Sequence, residues 1–231
     1  MVISRRDSLW SISSGGLASL RPGKESNCLA SSDSNSPKVF RFRTQIVNKY
    51  EVKNSTGQQI YSAVAKSNLC YRIICGNQRP FKVCVQDNMG IDAVYFKRPF
   101  RCSWFCSPCC LEKLEVQAPT GEPIGYVIQK WHACLPKFII QNKNRETVLR
   151  IRGPFSFYGC CNAYKFKIKT PHSNEEIGRI TRIWGRLATE VSTEDDKFEI
   201  SFPMNLDVNI KAVLMGACIL MDYMYFEQQT F

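Results

Sequence analysis

Thiols are the reactive groups this sequence carries in greatest concentration. There are twelve cysteines, and Cys102, Cys106, Cys109 and Cys110 crowd into RCSWFCSPCC (101–110). A zinc site needs four well-placed nitrogen or sulfur ligands. Cys106-x-x-Cys109 has suitable spacing, but downstream Cys160 and Cys161 are adjacent, and His132 and His172 are the only histidines. A disulfide framework requires an oxidising compartment. The N-terminus shows no apolar stretch of the secretory kind, so a reducing setting is expected. Acylation fits the surroundings better. The thiols stand beside Trp104 and Phe105 and follow KRPFR (97–101), a mixture suited to a membrane surface. One acyl chain anchors marginally and two anchor stably. The plainer alternative is an exposed loop of unmodified thiols.

Oxygen ligands concentrate in TEDDKFEISFPMN (193–205). Calcium takes six to eight hard oxygens, and Glu194, Asp195, Asp196, Glu199 and Asn205 can supply several. An EF-hand register begun at Glu194 puts Phe198 fifth and Glu199 where glycine is required. The competing reading is a solvated turn between strands. Basic residues concentrate in GRITRIWGRL (178–187), which suits nuclear import machinery, phosphate or lipid headgroups. It reads equally as the outer face of a strand. No nucleophile–base pair is legible locally, no glycine-rich phosphate loop occurs, and two histidines leave little for acid–base work. The chain is therefore expected not to be an enzyme. A formal charge of +11 favours anionic partners: acidic headgroups, nucleic acid or acidic proteins.

The elements that must hold these groups are mostly strands. Residues 1–38 are serine-rich and poor in aliphatic side chains, and are expected to be a disordered tail. Their acid-poor, arginine-containing start also suits a transit peptide, against which Asp7 counts. From Val39 onward short alternating segments recur every 8–12 residues, split by glycine, proline or asparagine, which predicts a sandwich or barrel. Asn54–Gly57, Thr120–Glu122 and Lys143–Arg145 read as hairpin turns. The closing run AVLMGACILM (212–221) holds no charge and ends at Asp222. A helix apolar on every side must sit in lipid or inside protein. Ten residues are short for a bilayer, and an aspartate in hydrocarbon is costly. A buried helix, capped by Asp207 or Asn209, inside a closed antiparallel barrel is the expected architecture.

From about Asn48 to Phe226 the chain resembles the phospholipid scramblases. The likeness is carried by NKYEVKN (48–54), RPF (79–81), DNMG (87–90), FRCSWFCSPCCLE (100–112), VQAPTGEPIGYVIQKWHACLPKF (116–138), GPFSFYGCC (153–161), FPMNLDVNIKAV (202–213) and GACILMDYMYFE (216–227). It implies a mainly β, tubby-like closed barrel of about twelve strands around a hydrophobic C-terminal helix, with 39–231 as the scramblase domain. It implies calcium-triggered, ATP-independent, bidirectional movement of phospholipids between leaflets, at the cytoplasmic side of the plasma membrane. The family's acylated motif falls on Cys106, Cys109 and Cys110. Its calcium segment falls on Glu194, Asp196, Phe198, Ile200 and Asn205, with substitutions that imply a weak Ca²⁺ site. Its import segment falls on Gly178, Arg179, Ile180, Thr181, Arg182, Ile183 and Trp184, implying a nuclear pool. Implied partners are anionic phospholipid membranes, with import factors, signalling proteins or DNA. The family's proline-rich tail is not matched before residue 48, which argues against SH3 or WW docking. The alternative function is a palmitoylated interaction module that does not itself scramble lipids. In the first strand's place the sequence offers Val39–Ile46.

Overall fold

Alternation of apolar and polar residues produces twelve strands in the computed structural model, which describes residues 1–7, 48–66, 79–101, 111–154, 163–183 and 197–226. They are β1 (Val2–Asp7), β2 (Asn48–Lys53), β3 (Gln59–Lys66), β4 (Phe81–Asp87), β5 (Asp92–Arg98), β6 (Lys113–Gln117), β7 (Pro123–Lys130), β8 (Lys137–Asn142), β9 (Thr147–Arg152), β10 (Ala163–Lys169), β11 (Glu176–Ile183) and β12 (Lys197–Ser201). Each strand pairs antiparallel with its sequence neighbours, and β12 pairs with β1 to close the barrel. Closure leaves no ladder edge to pair with another chain.

The predicted hairpin turns form. Asn54 Oδ1 accepts from Thr56 N and Gln58 N at 3.0 and 2.9 Å. Gly121 takes φ +89° between β6 and β7, a conformation that costs a side-chain-bearing residue.

Helix α1 (Val208–Met221) fills the barrel and continues as a π-helical turn, Asp222–Phe226. Of the two expected caps, Asp207 does the work: its Oδ1 accepts from Asn209 N and Ile210 N at 2.8 and 3.2 Å. Asn209 lies inside the helix. Inward side chains of the wall, among them Val52, Phe96, Leu114, Phe138, Ile140, Phe166 and Ile180, form one core with Val213, Leu214, Ala217 and Leu220 of α1. The helix lies closest to β6, β7 and β8. A Cβ on Gly125 would stand 2.6 Å from Val213 Cγ2 and from the Gln141 carbonyl oxygen, so a hydrogen there is what lets α1 touch β7.

The N-terminal expectation is corrected at its beginning. Val2–Asp7 of the segment read as a disordered tail is β1, paired with β2 on one side and β12 on the other. Ile3 is buried opposite both Val52 and Phe198. Serine content averaged over the segment concealed a short apolar start, and its ordering comes from partners roughly fifty and two hundred residues away in sequence. The barrel thus begins before residue 39. Residues 8–47, including the proposed first strand Val39–Ile46, lie outside the described residues.

Candidate functional site

Alternate connections of an antiparallel barrel share an end. Hairpin turns occupy one end, and α1 enters there. The helix finishes at the other, where the longer connections attach: 8–47, 67–80, 99–112, 131–136, 153–162 and 184–196. All but Cys84 and Cys218 of the twelve cysteines belong to the connections at this end.

The floor of the barrel here is polar and closed to water. Asp222 is 1% exposed, and the Tyr50 hydroxyl donates to its Oδ2 at 2.9 Å. That pairing is what an aspartate at the end of an apolar helix requires. Arg98 Nε donates to Glu112 Oε2 at 2.9 Å, while Nη2 lies 2.8 Å from Oε1. The geometry is that of a two-pronged guanidinium–carboxylate pair, with both side chains at 3% exposure or less. Tyr223 stacks on Phe81 with centroids 4.2 Å apart, and the Arg79 guanidinium lies 4.8 Å over the Tyr223 ring. Arg182 lies 4.3 Å over Phe226, itself surrounded by Tyr164, Phe166 and Phe198. Three guanidinium groups therefore gather around the carbonyl end of the helix, where its dipole favours positive charge. Burial, with the Glu112 charge added, holds the Tyr225 phenol protonated well above its ordinary value. Tyr50 and Arg98 engage the two carboxylates, so this floor clamps the helix end rather than presenting reactive groups.

A second polar cluster lies on the outer wall. Asp92 accepts from the Tyr95 hydroxyl, from Cys84 Sγ at 3.0 Å and from Gln86 Nε2 at 2.8 Å. The hydrogen bond to Asp92, followed by burial and the Asp92 charge, raises the Tyr95 pKa to about 12 from 10.0. A raised phenol pKa adds stability that is complete below pH about 10 and is lost as pH climbs through about 12. In a phenolate absorbance titration, one tyrosine should ionise near 12. Tyr95→Phe should remove that step, and Asp92→Asn should move it toward 10.

Of the residues singled out from the sequence, the described parts of the import-like and calcium segments lie side by side, Ile180 paired with Ile200 and Arg182 with Phe198. Cys106, Cys109 and Cys110 lie outside the described residues, as do Glu194, Asp196 and Trp184. Phe198 and Ile200 are corrected as members of a calcium loop. They are 1% and 2% exposed, point into the barrel with the period of β12, and their backbones belong to the ladder. Within that segment Lys197–Ser201 is strand and Asn205 lies in an exposed turn. Gly178 to Ile183 are all in β11. Arg179 faces solvent and pairs with Glu176 at 3.6 Å. Arg182 faces inward, so the two arginines of the import-like segment lie on opposite sides of the wall.

A family model described as Scramblase matches residues 40–228. Phospholipid scramblase 1 of Homo sapiens is 50% identical over 180 residues, which cover 78% of this chain and 57% of that protein. Phospholipid scramblase 2 of Bos taurus is 49% identical, covering 78% of this chain and 61% of that protein. Phospholipid scramblase family member 5 of Homo sapiens is 44% identical, covering 80% and 68%. The chain belongs to the phospholipid scramblase family. It spans somewhat more than half the length of the first two relatives. No solved structure matches it.

In this scramblase-family chain Tyr50, Arg79 and Glu112 carry no local functional signal in the sequence, and Arg98, expected with KRPFR (97–101) in a basic membrane surface, is instead buried against Glu112. A usable signal exists for Arg98: Val94, Phe96 and Arg98 share one face of β5, which puts a cation in line with core residues. Ile180 and Arg182 repeat the pattern on β11.

Proposed function

We propose that this chain is held at the cytoplasmic face of a membrane and promotes ATP-independent, bidirectional movement of phospholipids between leaflets, with calcium as trigger. Membership of the scramblase family across residues 40–228 carries this reading. Moving a headgroup through hydrocarbon requires no covalent step, only a lower barrier, which local thinning of the bilayer or a water defect supplies. Cys106, Cys109 and Cys110 are the proposed acylation sites, enough for the two chains that stable anchoring takes. Glu194 and Asp196 are the proposed calcium carboxylates, with no side-chain part for Phe198 or Ile200.

Val208–Phe226 has the length and composition of a membrane span. In this fold it is the core of the barrel, and its release would expose both its own apolar surface and the inner wall. Scrambling by a closed barrel that distorts the bilayer from its surface is the mechanism compatible with that packing. The same enclosed helix supports a second reading, a lipid-anchored module that binds signalling proteins, import factors or DNA and does not scramble.

Reconstitution of the purified chain separates the two. Loss of asymmetry of a labelled phospholipid should exceed that in protein-free vesicles, and should rise with calcium at about 10⁻⁴–10⁻³ M, the range of weak sites. Scrambling without a calcium response retires the trigger and keeps the transport reading. Absence of scrambling by folded protein under both conditions leaves the binding module.

A further inference from the structure

The register of the outer wall aligns cations that are far apart in sequence. Lys130 pairs with Lys137, Lys137 with Arg152, Arg152 with Lys167, and Lys167 with Arg179. These five residues form one unbroken row across β7–β11. All point outward; Lys130, Arg152, Lys167 and Arg179 are exposed and Lys137 is half-buried. Like charges placed directly opposite destabilise a sheet, so a row without an acid in it is costly to keep unless something anionic covers it. Glu176 approaches one end, 3.0 Å from Lys167 and 3.6 Å from Arg179. The row ends at Ser201 on β12.

The neighbouring row runs Lys113, Ile128, Ile139, Arg150 and Lys169, so two isoleucines, half-buried on the outer face, sit at its centre between cations. Trp131 follows Lys130 at the helix end of the barrel and is 63% exposed. Cations flanked by outward isoleucines and an exposed indole suit an anionic lipid surface, where tryptophan settles at headgroup depth and each cation adds about 1 kcal/mol. A nucleic acid duplex would use the cations and leave the isoleucines and the indole in water. We infer that the outer wall of β7–β9, with Trp131 at its rim, is a docking face for anionic bilayers. The inference rests on the membrane reading above and names the surface that meets the lipid. It lays the barrel wall on the headgroups at the end where the 99–112 connection attaches.

The test uses the full chain with unmodified thiols, sedimented with phosphatidylcholine vesicles and with vesicles that also contain phosphatidylserine. Binding should require phosphatidylserine and fall with added salt. Lys137→Glu/Arg152→Glu should weaken it at least about 30-fold, from roughly fivefold per cation removed. Lys49→Glu/Lys82→Glu, on β2 and β4, should have much less effect. Should the wall variant fail to fold, bromolipid quenching of the parent decides: Trp131→Phe should remove a distinct share of the quenched fluorescence. Equal losses in both charge-reversed pairs, equal binding to both vesicle types, or quenching unchanged by Trp131→Phe would overturn the proposal. So would a duplex oligonucleotide that binds more tightly than vesicles and is the only ligand lost on wall reversal. Vesicle binding of the expected pattern without scrambling would retire the transport reading and leave the docking face standing.

Discussion

Replacing Glu112 with alanine is expected to destabilise the barrel by about 3–5 kcal/mol, the usual cost of removing one member of a buried ion pair. The loss comes less from the missing attraction than from the Arg98 guanidinium left in an interior where it lies 5.7 Å over the Phe81 ring. Arg98 and Glu112 also stand at the two ends of the connection from β5 to β6, so their pair ties that connection shut. Glu112 is itself held to the end of β7: its N–H donates to Gln129 Oε1 at 3.0 Å, and its carbonyl accepts from Gln129 N at 2.8 Å. At about 2–4 °C per kcal/mol for a chain of this size, the midpoint of thermal unfolding should fall by roughly 6–20 °C. Arg98→Met/Glu112→Leu should recover most of the loss, because it leaves no uncompensated charge. A loss below about 1 kcal/mol would instead mark a solvated pair.

Tying α1 to the wall should stabilise the protein strongly and leave scrambling untouched. A Cβ on Gly216 would stand 3.0 Å from Leu114 Cδ2 and 3.1 Å from Phe96 Cδ1. In Leu114→Cys/Gly216→Cys the shortened side chain at 114 makes room for the new sulfurs, and the loss of two free thiols on oxidation, relative to the parent, checks that the bridge closes. The bridge closes a loop of about 100 residues, for which loop-closure entropy corresponds to about 3–5 kcal/mol. The oxidised form should therefore unfold at markedly higher denaturant than the reduced form of the same variant. Because the proposed mechanism keeps α1 in the barrel, oxidised and reduced forms should scramble lipid at rates within about twofold of each other. Loss of scrambling on oxidation, restored by reductant, would show that the helix leaves the barrel to act.

Much of this architecture was written in local pattern. Hairpin turns at Asn54–Gly57, Thr120–Glu122 and Lys143–Arg145 follow from residue type. Burial of α1 follows from a run too apolar for water and too short, once Asp222 interrupts it, for an ordinary span. The π-helical turn beyond Met221 and the pairing of Asp222 with Tyr50 were not local in this sense, since the hydroxyl comes from β2.

The candidate site was less legible, and the reason is register. A strand's alternation establishes that Arg179 and Arg182 point to opposite sides, as do Phe198 and Glu199, because side chains alternate with period two. Which side is the core depends on how twelve strands close around one helix. That closure turned Phe198 and Ile200 inward, and drew Val2–Asp7 out of a serine-rich segment to complete the wall. It also set Lys130, Lys137, Arg152, Lys167 and Arg179 in one row, though β7 and β11 lie some fifty residues apart in sequence. Family, alternating strands and buried helix are legible in contiguous residues. Which charges are buried against the helix end and which align on the outer wall emerges only when the barrel closes. Those assignments depend on cross-strand partners, and pairing between distant segments leaves no mark in the local order of residues.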